Sequence, residues 1–369
     1  MNWKNIFGVT LTLLIVGCSN DDNIIEEPDE ILAASFEVIG EDTEAVFQYT
    51  FDATTNTTEL LNLTSEIGVP TDYLTLRQTD DFLSFYSFRQ GAFSLVIKNI
   101  STGATASFVD FYANGPGRSV VWGTNTLTNV FFGYFAPGDS REIGLQDVEI
   151  QNQTSLDVSI DIDIDLLFQP LLFNDKVYIT FLDNQGEYKL SVYDTLTKSL
   201  GNIINFGDTP ISIFIDDLGN LVVIKNGIDA SLELYDTNDL SFISSSNLGF
   251  NSGFASGPVS GTVLSENKLY YARPYIQPAR FASGPAIFDI ETQESFIPDF
   301  ITIADEIEAE IGSNITITTQ TYSSSRNMFF IGYAILTTPN QGGILQISPG
   351  GELIDNTALP FFPSYIVAD

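Results

Sequence analysis

Histidine is absent from all 369 residues, and cysteine occurs once, as Cys18. The first absence excludes Ser-His-Asp and Cys-His catalysis, His-ligated zinc and His-ligated haem together. The second excludes an internal disulfide, so the folded chain must draw its stability from a core. Positive charge is also scarce: 14 Lys and Arg stand against 48 Asp and Glu, a net charge of −34. A field of that sign repels nucleic acid and anionic lipid, which makes both poor partners. Asp, Glu, Tyr, Arg, Lys and Ser remain for chemistry, and no cofactor is expected. Against these absences, 44% of residues are hydrophobic and 12% aromatic, with a mean hydropathy of +0.12. A disordered acidic tail does not have that composition. It describes a globular domain with solvated acidic faces.

Long apolar runs are missing too. The one near the start, Ile6 to Val16, follows Lys4 and ends at Gly17-Cys18. It is too short to cross about 30 Å of hydrocarbon as a helix, and has the charged, apolar and small-residue order of a secretory signal. The stretch Ile15-Val16-Gly17-Cys18 resembles the bacterial lipobox, in which a cysteine thiolate takes up a diacylglyceryl group. The resemblance implies a signal peptide over 1–17, lipidation at Cys18 with palmitate-type acyl chains, and a membrane anchor. An ordinary signal peptide with an incidental cysteine is the other reading. After Cys18, "SNDDNIIEEPDE" is acidic and carries a proline, the composition of a solvated tether over 18–34. "CSNDD" is similar to the acidic export signal of Bacteroidetes, and especially flavobacterial, surface lipoproteins; a plain spacer is the alternative. Both place the mature chain outside the cytoplasm at the outer membrane, on the cell surface or facing the periplasm. Loss of Lys4 with the signal takes the charge from −34 to −35.

From about Ser35 onward, short β-branched and aromatic runs alternate with turn residues, as in "KVYITFL", "ISIFIDD" and "SLELYD". One helix is expected, over Ile303–Ile311: isoleucines recur four apart, acids fill the first turns and Gly312 follows. An internal unit also recurs: an apolar strand, an Asp or Asn, a tight turn and another strand. Its anchors are Asp52, Asn99, Asn152, Asp194, Asp236, Asp289 and Ser348, spaced by 47, 53, 42, 42, 53 and 59 residues. That period suits a four-stranded propeller blade with loop insertions. The phrasing "YDT … G-x-x-P-x-x-I" around Tyr193 to Pro210 and from Tyr235 resembles YVTN-type surface β-propellers, well over 175–300 and by pattern elsewhere. This resemblance implies a fold and no fixed activity. The N-terminal part supplies three strands of a blade, and "PSYIVAD" at the C-terminus supplies the fourth. The expectation is therefore an all-β propeller over 35–369, of seven four-stranded blades closed by pairing of the N- and C-terminal strands. Six or eight blades, or two stacked β-sandwich domains, are the competing architectures.

Several stretches invite a site. "SIDIDIDL", 159–166, places Asp161, Asp163 and Asp165 on one strand face and isoleucines on the other. Carboxylates suit calcium, but the glycine of a D-x-D-x-D-G loop is missing; an outer strand whose acids blunt an exposed edge is the favoured reading, and no metal site is expected. "DNQG", "DDLGN" and "SPGGE" are turns by composition. Loop length says more. Connections between second and third strands, and from one blade to the next, share one face of a propeller and are the longer set here. Arg89, Arg118, Arg141, Arg273 and Arg280 fall in that set, beside Tyr134, Tyr271, Tyr275 and Phe281; Arg77 and Arg326 fall in the other. Guanidinium forks and aromatic rings suit a planar anionic or carbohydrate ligand. Pairing of the arginines with surface acids is the competing account.

Three functions are consistent with this. The first is a monomeric, non-enzymatic, lipid-anchored surface binding protein that captures a nutrient, an anionic small ligand or an extracellular glycan. The resemblance to Bacteroidetes lipoproteins suggests an outer-membrane transporter as its partner. The second is a His-independent polysaccharide-degrading enzyme, either a carboxylate-pair glycoside hydrolase or a Tyr/Arg lyase. The third is a surface adhesion or scaffold protein.

Overall fold

A computed structural model describes residues 31–113, 118–136, 142–158, 160–338 and 340–367. Cys18, Arg141 and nearly all of the expected tether lie outside the described residues. Those described build seven antiparallel blades. Blade 2 runs from Thr75 to Ala113, blade 3 from Ser119 to Val158, blade 4 from Ile164 to Asn205 and blade 5 from Ile211 to Asn247. Blade 6 runs from Val263 to Phe296 and blade 7 from Ile315 to Leu359. Blade 1 is composite: Phe36–Glu41, Val46–Asp52 and Thr57–Asn62 pair in series, and Phe362–Ile366 adds the innermost strand. The seven-bladed ring with its joint terminal blade is therefore the observed fold. Closure removes the two sheet edges that an open ring would expose.

The apolar runs explain why these strands pack as blades. Successive side chains point to opposite faces of a sheet, and each blade is covered on both faces. Val177, Ile179 and Phe181 enter the core between blades 3 and 4, while Tyr178 enters the core between blades 4 and 5. Such a strand can be apolar at every position, and "KVYITFL" nearly is. Seven hydrophobic clusters result, one at each blade junction. The cluster that joins blade 7 to blade 1 holds Phe36, Val38, Phe330 and Phe361.

The anchors fall where the third strand of a blade turns into the fourth. Side chains of Asp52, Asn99, Asp194, Asp236, Asp289 and Ser348 accept turn amides at 2.7 to 3.1 Å. Asn152 does not hold that place. In blade 3 the third strand ends at Glu149, which accepts from Asn152 Nδ2 at 2.7 Å and from the Thr154 hydroxyl at 3.2 Å. A second regularity supports Glu149: the residue four beyond each of six anchors is left-handed, at Asn56, Gly103, Gln153, Lys198, Leu240 and Gln293. That conformation completes a tight strand-to-strand turn.

Three local expectations are corrected. The main helix is Phe300–Ile311, begun three residues early by the Asp299 cap and ended by left-handed Gly312, so no acid lies in its first turn. A short second helix, Leu63–Ile67, joins blades 1 and 2. The Asp/Ile alternation at 160–166 is not an outer strand: it crosses from blade 3 to blade 4 and starts the innermost strand Ile164–Leu167. Its isoleucines nonetheless pack inward, against the blade 3–blade 4 core, and its aspartates are exposed. Among the described residues no group of acids is arranged to hold a metal ion, and no helix is long and apolar enough to cross a membrane.

Two predictions follow from ring closure and from the turns. At Gly40, where the closing pair is irregular, a Cβ would lie 2.1 Å from the Phe361 ring and 2.5 Å from the Phe362 carbonyl. Gly40→Ala should lower unfolding free energy by about 1–3 kcal/mol, the range for overpacking; an unchanged denaturation midpoint would contradict the tight seam. The second concerns acid. A hydrogen bond from Lys176 and the turn amides of Thr197 and Leu196 hold Asp194 well below the usual carboxylate range. A depressed folded pKa contributes stability that is present above the unfolded value and lost as pH falls. Between about pH 7 and about pH 3 the wild type should therefore lose more stability than Asp194→Ala. Parallel pH–stability curves would sink this account.

Candidate functional site

The two faces carry the loops expected of them. Among blade-to-blade connections, those after blades 1 and 6 carry the helices Leu63–Ile67 and Phe300–Ile311. The one after blade 5, 248–262, folds back so that Gly257–Pro258 pairs in parallel with the innermost strand Ile211–Ile215. On the opposite face the first-to-second-strand turns are short, as at 80–81, 174–175 and 266–267.

The described arginines expected on the longer-loop face are there, and three of the four are neutralised by carboxylates. Arg89 pairs with Asp72, both well exposed; such a pair stabilises by about 0–1 kcal/mol. Arg118 grips Asp157 through two hydrogen bonds of 3.1 and 3.0 Å, approaches Glu142 at 3.5 Å and stacks 4.1 Å over the Tyr134 ring. Tyr134 is itself buried and donates to Glu142 at 3.0 Å. Burial and then that carboxylate push its pKa up to about 12. Arg280 clamps Asp305 and Glu308 of the main helix and lies 4.8 Å from the Phe281 ring centre. The competing account, pairing with acids, therefore describes Arg89, Arg118 and Arg280.

Arg273 differs. It ends the second strand of blade 6, is half-buried, and forms no ion pair with any described residue. The titratable groups that feel its charge are Tyr271 and Tyr275. Tyr271 cannot stack a ligand: it is 1% exposed, with its ring against Phe250 at 5.5 Å. Burial pushes its pKa up to about 12. Tyr275 is half-buried, with its hydroxyl over Gly284, where a Cβ would lie 2.0 Å away. Only a residue without a side chain fits beneath it. Burial raises the Tyr275 pKa, and the Asp299 carboxylate adds to that. Arg273, Tyr275 and Asp299 thus meet at one end of blade 6, while Arg89 and Arg118 belong to blades 2 and 3.

On the other face, a cavity of about 420 Å³ opens where blades 1, 2 and 7 meet, lined by Glu37, Gln78, Asp80, Asp81, Ile100 and Arg326. Burial raises the pKa of Glu37, and its Oε1 is buried without a hydrogen-bond partner. Gln48 reaches its carboxyl group and in turn accepts from Lys98. Nothing in the sequence marks this group, because its members come from three blades. Arg326 occupies the expected short-turn face, but Arg77 does not sit in a turn: it lies mid-strand in Thr75–Thr79.

No protein-family model matches the chain, and no curated protein matches it. Among solved structures it is similar to a puromycin hydrolase, with a TM-score of 0.52 at 12% identity, over 89% of this chain and 55% of that one. It is also similar to a prolyl endopeptidase (0.52, 9%, 89% and 50%) and to TolB from Acinetobacter baumannii (0.40, 15%, 89% and 79%). The chain spans about half the length of the two hydrolytic proteins. At these identities the likeness shows the propeller fold alone.

The unequal state of Arg273 and Arg280 makes a prediction. Arg280→Ala releases the main helix from two partners and should lower the melting temperature by the equivalent of about 1 kcal/mol. Arg273→Ala breaks no ion pair and should leave it unchanged. Equal effects of the two substitutions would contradict the assignment.

Proposed function

We propose that the protein is a lipid-anchored, non-enzymatic binding protein of the bacterial outer membrane, displayed on the cell surface. It captures an anionic or carbohydrate ligand on the longer-loop face of a seven-bladed propeller. The anchor is Cys18 and the tether 18–34, on the strength of their likeness to Bacteroidetes surface lipoproteins. The observation that carries the capture reading is Arg273. In a chain of charge −34 it has no ion-pair partner among the described residues, and its charge is felt by the Tyr275 phenol. A guanidinium can take a carboxylate by its fork, and a half-buried tyrosine nearby can stack a sugar ring. Delivery to an outer-membrane transporter fits a monomeric binder held at the membrane.

A second reading rests on Glu37. A half-buried carboxyl group with raised pKa and one oxygen, Oε1, without a hydrogen-bond partner, in a cavity with Asp80 and Asp81, is the kind of acid a carboxylate-pair glycoside hydrolase uses. The puromycin hydrolase and the prolyl endopeptidase give it the company of enzymes that share the fold.

Two measurements test the capture reading. Cys18→Ala, expressed in the host cell, should move the protein from the membrane to the soluble fraction and remove it from protease shaving of intact cells. Retention at the membrane would refute the anchor. On immobilised polygalacturonate, an anionic glycan, the wild type should be retained, and Arg273→Ala should elute with the unbound fraction. If Glu37→Gln rather than Arg273→Ala abolishes retention, the ligand belongs to the other face and the second reading replaces the first.

A further inference from the structure

Several of the few cations are matched with acids inside the fold. Lys189 lies 2.8 Å from Asp183 and 2.6 Å from Glu187, Lys198 lies 2.6 Å from Asp147, Lys225 lies 3.2 Å from Glu233, and Lys176 pairs with Asp194. Arg77 breaks the pattern. It occupies the middle of the innermost strand of blade 2, beside the propeller axis. Its Nη1 donates to the Leu76 carbonyl at 3.1 Å, and its Nε is buried with no partner. No described carboxylate pairs with it. The two titratable groups that feel its charge are phenols: Tyr86 of the same blade and Tyr365 on the C-terminal strand. Burial pushes Tyr365 up to about 12 and Tyr86 higher, so both are neutral near pH 7. Their hydroxyls are engaged, Tyr86 with Asn125 and Tyr365 with Gln78 at 3.1 Å. Glu37, across the blade 1–blade 2 junction, is coupled to Lys98 and Arg326 instead.

A guanidinium taken out of water without a counter-charge is destabilising, and breaking a buried pair typically costs several kcal/mol for that reason. With 48 acids in the chain, a missing internal partner is not a matter of supply. Arg77 is half-buried rather than sealed; with Nε buried, the Nη end of the fork is the part offered to an ion. We infer that Arg77 anchors a small-oxyanion site on the channel wall, its fork taking a carboxylate or phosphate group through paired N–H donors. Arg holds such groups bidentately, and Lys does not. The strongly negative surface keeps non-specific anions dilute near the channel, so occupancy depends on this fork rather than on a general positive field. The site is independent of Arg273 and of the longer-loop reading, and stands or falls without them.

Thermal unfolding of the full-length protein, followed by circular dichroism near pH 7, tests it. Sodium phosphate or sodium acetate at about 10 mM, compared with sodium chloride at equal ionic strength, should raise the wild-type melting temperature by about 2 °C or more, as a ligand bound only by the native state does. Phosphate alone, acetate alone or both acting would each support the site and define its anion class. Arg77→Met should abolish the shift while melting in chloride no lower than wild type, since an uncompensated charge has gone. Arg273→Met should keep the shift. Arg77→Lys retains the charge without the fork and should show less than about half of it, which keeps the test decisive if Arg77→Met does not fold. Absence of any shift in wild type, or an undiminished shift in the Arg77 variants, overturns the inference.

Discussion

The structure depends on one strand pairing. Phe362–Ile366 joins Phe36–Glu41 across the whole length of the chain, with Val38 opposite Ile366 and Ile39 opposite Tyr365. Each blade is an apolar sheet that needs neighbours on both faces, so an open ring would leave two apolar faces as well as two strand edges in water. Closure supplies the seventh interface, where Phe36, Phe330 and Phe361 are buried. The closing strand also carries Tyr365, whose hydroxyl bonds Gln78 of blade 2. The ends of the chain are therefore tied both to each other and to the axis. With one cysteine, at Cys18, no disulfide can substitute for that seam.

Charge is distributed on a complementary plan. Many acids face outward or cap turns, a few such as Asp147 are buried, and several cations are spent on holding blades and loops together. Arg118 welds the end of blade 3, Lys198 ties a blade 4 turn to the buried Asp147, and Arg280 fastens the main helix. Against that background two guanidinium groups without an ion pair among the described residues are informative: Arg273 at the end of the second strand of blade 6 and Arg77 on the inner strand of blade 2. They lie in different parts of the ring and point to separate roles.

Much of the fold was legible because it is local. Turn anchors such as Asp52, Asp194 and Asp289 follow apolar strands by a fixed grammar, and continuous apolar runs report two-sided burial. Blade 3 misled because Glu149, a longer acid, does the anchoring while Asn152 merely resembles the motif. The left-handed turn position holds Asn, Gly, Gln, Lys, Leu and Gln in turn, so no residue type reveals it. The Asp/Ile alternation at 160–166 gave the correct inward and outward faces but the wrong element, since a blade-crossing segment can alternate as a strand does. The site was less legible. Loop lengths placed Arg89, Arg118, Arg273 and Arg280 on the right face, yet Tyr271 proved to be core because a strand buried on both faces hides a ring as readily as an isoleucine. Whether an arginine is paired depends on acids that the fold brings near from well along the chain, as Asp157 is brought to Arg118 and Glu308 to Arg280. Nothing in the sequence marks Arg118 as paired and Arg77 as lacking a carboxylate; only the assembled ring shows it.

The central claim, that the terminal strand pairing is the seam on which the ring depends, is tested most directly by native-state hydrogen exchange. The account predicts that seam amides such as Val38 and Ile366 exchange only through global unfolding, with the same free energy as the core of blades 4 and 5. The denaturant dependence should also match that of whole-chain unfolding. Seam amides that exchange through a lower-energy local opening, while blades 4 and 5 stay protected, would contradict it.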